Sequence, residues 1–262
     1  TKTRIGRDIL MNDLKKDYRA IYIATGAHQS WTMGIPGEDK PGVFGAVELL
    51  RQFNLNQAPK IGRNVAVIGG GNSAIDAART ALREGAETVT IFYRRERNDM
   101  PALAEEVEAA IAEGVKMEFL SAPVSLQSDN GHVSAMTLQR MELGSFDSGG
   151  RRRPVPIDGS DYTVSVDTVI SAVGQAADFA CLEKCDSVKA EKGKVKVDRQ
   201  SRTSDECVWA GGDVALGPAT VVEAIQAGRV AAQEIDAAIR KANGEPAYVK
   251  PARPKIDIPY EV

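Results

Sequence analysis

Few side chains in this 262-residue sequence could ligate a metal or form a covalent bridge. There are three cysteines, Cys181, Cys185 and Cys207. Their odd, small number excludes a disulfide framework and fits a reducing, cytoplasmic setting. The two histidines, His28 and His132, share no metal-ligand spacing and read as polar loop residues. No apolar run approaches the ~20 residues of a membrane-spanning helix, and no signal-peptide pattern opens the chain. Charge of one sign is not in excess either. Thirty-three Lys and Arg against 36 Asp and Glu leave −3, which gives no electrostatic case for nucleic acid or an anionic membrane surface. An initiator methionine is also lacking: the chain begins Thr1-Lys2-Thr3-Arg4 and reads as part of a longer protein. What is present is an ordinary globular balance, 43% apolar and 26% charged, long enough for about two domains of ~150 residues.

Buried strands are expected at 19–24, 64–68, 88–93, 115–120 and 167–173, with shorter ones at 194–197 and 207–210. Those at 19–24, 64–68 and 167–173 are largely apolar, whereas 115–120 and 194–197 alternate with charged residues. Helical spacing covers 46–52, 73–84, 102–112 and 220–241, and Gly85 and Gly114 are placed as helix-ending glycines. Trp31 to Val43 is punctuated by Gly34, Pro36, Gly37, Pro41 and Gly42 and reads as loop. Between Pro123 and Val166 the period shifts to two, with turn signals at Asp129-Asn130-Gly131-His132 and Asp147-Ser148-Gly149-Gly150. That pattern predicts a small antiparallel meander. The strand, turn, helix, strand order over 64–93 is one βαβ unit of a parallel sheet.

The turn of that unit carries chemistry. Gly69-x-Gly71-x-x-Ala74 follows a strand directly and opens a helix, the context in which this pattern signals a dinucleotide. Gly69 permits the tight turn, Gly71 lets backbone approach a pyrophosphate, and Ala74 lets helix and strand pack closely. Asn72 and Ser73 sit at the helix N-terminus, where free N–H groups and the positive dipole end attract phosphate. The next strand ends Phe92-Tyr93-Arg94-Arg95, where an NAD site usually places a carboxylate for the ribose. Arg94 and Arg95 instead offer charge and fork geometry for a 2′-phosphate, so the expected ligand is NADP(H). The alternative leaves both arginines in solvent and gives the ribose to Glu96.

Two flanking segments look like halves of a flavin site. Ala24-Thr25-Gly26 ends one strand; Ala210-Gly211-Gly212-Asp213 ends another, followed by a helix that opens at Thr220. In a flavoprotein Asp213 would accept a hydrogen bond from the ribityl chain, Gly212 would allow its close approach, and the helix would aim its positive end at the flavin's pyrimidine edge. Together with the run Val65 to Ala78, Met100-Pro101-Ala102 and Ser171-Ala172-Val173-Gly174-Gln175, these residues resemble the small (beta) subunit of NADPH-dependent glutamate synthase. They also resemble the related flavin modules of dihydropyrimidine dehydrogenase and the electron-bifurcating transhydrogenase.

The resemblance spans roughly residues 4 to 243. It implies an α/β, disulfide-reductase-like flavoprotein with two Rossmann-like domains, the NADP domain (44–174) inserted into a partial FAD domain (1–43 plus 175–250). An extended tail would cover 251–262. It adds Gly174 to the cofactor-contacting set. It also implies a first FAD fingerprint upstream of Thr1, and iron–sulfur clusters there or in a partner, since neither is present here. Hydride would pass from NADPH to FAD, and electrons onward to a large glutamate synthase-like subunit or another acceptor. The acceptor itself stays open. The departure at Ala176-Ala177-Asp178, where the family usually has a proline–aspartate step, puts the crossover between domains in doubt.

No side-chain acid, base or nucleophile is needed, so no catalytic residue is assigned. Cys181 and Cys185 read as local packing, lacking the thiolate complement of a cluster. Glu105 and Glu106 read as a solvated helix face, and Arg151-Arg152-Arg153 as a charged hairpin loop, with a docking patch as the sharper alternative. Two other functions compete. An isolated NADP-binding module would retain no flavin and no activity. A thioredoxin-reductase-like enzyme would need a Cys-x-x-Cys in the NADP domain, where residues 44 to 174 hold no cysteine.

Overall fold

The computed structural model describes residues 2–57, 59–147 and 150–249. The expected tail 251–262 lies outside the described residues, as do Ser148 and Gly149 of the second turn signal. In chain order the elements are α1 (Met11–Asp17), β1 (Ile21–Ile23), β2 (Gln29–Ser30), β3 (Val43–Gly45), α2 (Ala46–Asn54), β4 (Asn64–Ile68) and α3 (Asn72–Arg83). Then follow β5 (Thr88–Tyr93), α4 (Ala104–Ala112), β6 (Lys116–Phe119), β7 (Ser121–Asp129), β8 (His132–Phe146), β9 (Arg152–Pro156), β10 (Tyr162–Ser165) and β11 (Thr168–Ser171). The last are β12 (Gln175–Ala176), β13 (Ala190–Glu191), β14 (Lys194–Val195), β15 (Val208–Ala210), α5 (Asp213–Leu216) and α6 (Val221–Asn243).

Two compact units result, one from the described residues of Thr1–Gly26 and Asp178–Val262, the other from those of Ala27–Ala177. Segment 27–43 therefore clusters with the inserted unit. The reason is local: β3 pairs β11, and the loop before it accepts hydrogen bonds from the meander, Leu126 N to Pro36 O at 2.8 Å and Val133 N to Pro41 O at 2.9 Å.

In the inserted unit five parallel strands lie in the order β3-β11-β4-β5-β6. Successive side chains point to opposite faces, and both faces of β4 are covered. Val65 and Val67 join a cluster with Leu49, Ala74, Ile75, Ala77, Ala78 and Ala81 from α2 and α3. Ala66 and Ile68 instead join Phe92, Leu126, Met136, Leu138 and Val169, where the meander packs. Double coverage explains why β4 reads as a continuous apolar run from Val65 to Ile68 rather than an alternating one. The meander follows the predicted period-two segments. Long β8 pairs antiparallel with β7, β9 and β10.

The other unit holds a parallel pair, β1 with β15, in the register Ile21↔Val208, Tyr22↔Trp209 and Ile23↔Ala210. α6 follows after a capping box in which Thr220 Oγ1 accepts from Glu223 N, while Glu223 Oε2 accepts from Thr220 N. Its 23 residues include one buried side chain, Ala231. α1, absent from the sequence expectation, is held by a polar knot. Lys15 Nζ donates to Asp205 Oδ2 and, at 3.2 Å, to Ser187 Oγ. Asp205 Oδ1 accepts from the amide and the thiol of Cys207, both at 3.1 Å.

Burial pushes the Asp205 carboxyl up, yet the bonds from Lys15, Ser187 and Cys207 outweigh it and hold the group well below the usual carboxylate range. The unfolded chain therefore binds this proton first as pH falls. The stabilisation is whole above about pH 5 and shrinks below about pH 4. Lys15→Met is expected to cost about 1–3 kcal/mol at neutral pH by leaving a buried carboxylate short of its donor. Urea unfolding should show that gap narrowing toward pH 3; a gap independent of pH would refute this account of the knot.

Candidate dinucleotide site

Strands β11, β4 and β5 all end at one edge of the five-stranded sheet, and ligands in such sheets bind outside the carboxyl ends. At the end of β4, Gly69 adopts φ +144°. A Cβ there would stand 2.3 Å from Ala172 O. Gly70 packs its open side on the Tyr93 ring, which a Cβ would meet at 2.6 Å. Around Gly71 there is room: its φ is −92°, and a Cβ would meet only Pro101 Cγ, at 3.9 Å. That free face of backbone is where a pyrophosphate could approach.

Helix α3 begins there without a side-chain cap and without an acidic residue in its first turn. Ala74 N and Ile75 N donate to Gly71 O, while among the described residues the amides of Asn72 and Ser73 have no protein acceptor and stay open to an anion. Ala74 is fully buried, consistent with close packing of helix on strand. The segment Met100-Pro101-Ala102 straps over the turn. Ala102 N donates to Gly70 O at 3.1 Å, and Leu103 N to Asn72 Oδ1 at 3.0 Å. Asn72 thus braces the start of α4, and Leu103 beside it is 63% exposed.

The two arginines after β5 part company. Arg94 is exposed, and no hydrogen bond or ion pair engages its guanidinium among the described residues. Arg95 is only 6% exposed. Its Nε donates to Arg152 O at 2.7 Å, and Nη2 lies 3.5 Å from Asp147 Oδ2. Arg95 therefore faces β9 of the meander, and the expectation of a matched pair on one phosphate does not describe this geometry. Glu96 is exposed.

Gly174 follows β11 with φ +148°, and the ring of Trp31 lies over it, 3.4 Å from where a Cβ would sit. Trp31 N donates to Gly174 O at 3.0 Å, and Ser171 Oγ to Trp31 O at 3.2 Å. Trp31, read from sequence as loop, and Gln175, quoted there only as part of the run from Ser171, are residues at this edge to which the sequence assigned no role.

In the other unit, Thr25 and Gly26 follow β1, and Gly26 has φ +73°. Gly211 N donates to Ile23 O at 3.1 Å. Gly212 has φ +69° and ψ −156°, a backbone state that suits glycine. Asp213 opens short α5, its Oδ1 accepting from Ala219 N at 3.3 Å. The Thr220 hydroxyl is engaged within the capping box, so what it offers outward is a well-formed α6 N-terminus. This unit thus presents two strand-end turns and a capped helix. Among the described residues this unit's parallel sheet has only those two strands. Also among the described residues, no three His, Cys, Asp or Glu side chains converge as for a metal ion, and no helix is long and apolar enough to cross a membrane.

A doubly covered parallel sheet with a glycine turn at its carboxyl edge, lying within the sequence of a second α/β unit, is the architecture of a dinucleotide-binding protein. The chain belongs to the pyridine nucleotide-disulphide oxidoreductase family, which it matches over residues 5–228. It is 46% identical over 248 residues to the NADP(+)-dependent formate dehydrogenase subunit beta of Moorella thermoacetica, an alignment of 93% of this chain and 35% of that protein. It is 35% identical over 250 residues to the glutamate synthase [NADPH] small chain of Escherichia coli K12, covering 89% of this chain and 53% of that one. The chain thus spans between a third and about half of these relatives' length. Among solved structures, FprA of Mycobacterium tuberculosis in complex with NADPH superposes with a TM-score of 0.76 at 19% identity, covering 95% of this chain and 70% of that one. The likeness establishes the disulfide-reductase-like fold with its two α/β units and meander.

Proposed function

We propose that this chain is the NADPH-binding and flavin-facing portion of an oxidoreductase subunit that takes hydride from NADPH and feeds electrons to a partner. The observation that carries the reading is exposed Arg94, whose guanidinium has no partner among the described residues, following β5, which pairs with the β4 strand that leads into Gly71 and α3. Gly71 admits the pyrophosphate, the first turn of α3 binds it, and Arg94 holds the 2′-phosphate that distinguishes NADPH from NADH. Arg95 acts at one remove, fixing the hairpin beside Arg94. Trp31 and Leu103 are exposed apolar groups that shield the approach to the glycine turn.

A bound flavin would accept hydride and release electrons singly to iron–sulfur centres upstream or in a partner subunit, as the relatives' names as beta and small chains suggest. Thr25, Gly26, Gly212 and Asp213 would hold its ribityl chain, and the α6 N-terminus, fixed by Thr220, would face its electron-rich edge. A second reading, a module that binds NADP(H) but retains no flavin, is favoured by one observation: α6 buries a single side chain along 23 residues.

The test is titration of the purified chain with NADPH and with NADH. A marked preference for NADPH is expected; equal affinities would sink the assignment. Visible flavin absorbance that survives desalting after FAD is added decides between the two readings.

A further inference from the structure

Gln175 Nε2 donates to Ser73 Oγ at 2.8 Å. Ser73 is the second residue of α3, in the turn that faces the phosphates under the NADP(H) reading on which this inference rests. A serine hydroxyl has a single proton and two lone pairs. With one lone pair taken by Gln175, the proton is left to point elsewhere, and among the described residues no protein acceptor takes it. The donor itself is rigidly held. Gln175 lies in β12, paired antiparallel with Ser30. Ser30 in turn is clamped by Glu48 of α2, whose Oε1 accepts from Ser30 N at 2.7 Å and Oε2 from Ser30 Oγ at 2.5 Å, while Ser30 Oγ accepts from Val47 N at 3.2 Å.

We propose that Gln175 is a positioning residue for the dinucleotide's pyrophosphate: by donating to Ser73 Oγ it aims the Ser73 proton at a phosphate oxygen. A purely structural tether would need only a hydrogen bond between the two side chains, in either direction. A positioning role needs this direction, because a group that accepts from Ser73 turns the proton inward and presents lone pairs to the anion.

Glutamate at 175 separates the two. Gln175→Glu keeps the length and can still bond Ser73, but only as an acceptor. NADP+ affinity is expected to fall about 3- to 10-fold in Gln175→Ala and about tenfold further in Gln175→Glu. In a Ser73→Ala background, Gln175→Ala should be nearly silent, and the residual cost of Gln175→Glu reads the added charge alone. Binding of 2′-AMP, which carries no pyrophosphate, should not change in any variant, and thermal melts confirm that each is folded. Gln175→Glu binding NADP+ like the parent overturns the inference, as does a Gln175→Ala cost undiminished by Ser73→Ala. A parent chain that binds no NADP+ overturns the underlying reading instead.

Discussion

Arg94→Ala is expected to lower NADPH affinity roughly ten- to a hundredfold and to leave NADH affinity as it was. Charge-assisted hydrogen bonds contribute about 1.5–3 kcal/mol each, and every ~1.4 kcal/mol is a factor of ten. The loss falls on NADPH alone because only its 2′-phosphate reaches past the ribose. Arg95→Ala should behave differently. It removes the donor to the Arg152 carbonyl and a neighbour of Asp147, so it lowers the unfolding midpoint while the folded fraction still prefers NADPH. Salt provides a second readout. The parent's NADPH affinity should decline as ionic strength rises, since an exposed cation is screened, and that decline should flatten in Arg94→Ala. If Arg95→Ala instead abolishes the preference and Arg94→Ala does not, the assignment is reversed.

The glycines of the turn should separate fold from ligand just as sharply. Gly69→Ala puts a methyl 2.3 Å from Ala172 O, on backbone that cannot swing aside, at φ +144°. Strain and overpacking together are expected to destabilise the inserted unit by about 3 kcal/mol or more. Gly71→Ala meets nothing nearer than 3.9 Å at an ordinary φ, so its unfolding curve should match the parent's within about 0.5 kcal/mol. Its NADP+ affinity should nonetheless collapse, because the added methyl stands where the pyrophosphate must come. Denaturant titration and ligand titration on the same two variants suffice. Normal NADP+ binding by Gly71→Ala would mean the phosphates lie elsewhere.

Much of this was legible in the sequence because the strongest signals are local. β4, α3 and β5 announce themselves by apolar runs, an alanine stripe and a glycine turn in direct succession, and they form within a residue of expectation. The meander's period-two pattern was equally plain. Short elements escaped. α1 buries only Met11, so it has no apolar periodicity to detect. β2, β3 and β12 owe their strand state to partners more than a hundred residues away in sequence.

At the site, sequence gives residue type but not side-chain direction. Arg94 and Arg95 lie in the bend after β5, where one side chain is left in solvent and the other is buried against Arg152 O. Nothing local pointed to Gln175, whose partner Ser73 is 102 positions earlier. Trp31 was hidden by the proline- and glycine-rich loop around it.

The inward turn of Arg95 matters to any attempt to reverse the proposed coenzyme preference by mutation. The obvious plan exchanges both arginines for an acidic pair, and it would fail for a reason unrelated to selectivity. A carboxylate at position 95 would lie buried within reach of the Asp147 carboxylate, two like charges where an ion pair had been. A redesign confined to position 94 leaves that fastening untouched. The doublet looks like one recognition element on paper; as a mutational target it is one dial and one bolt.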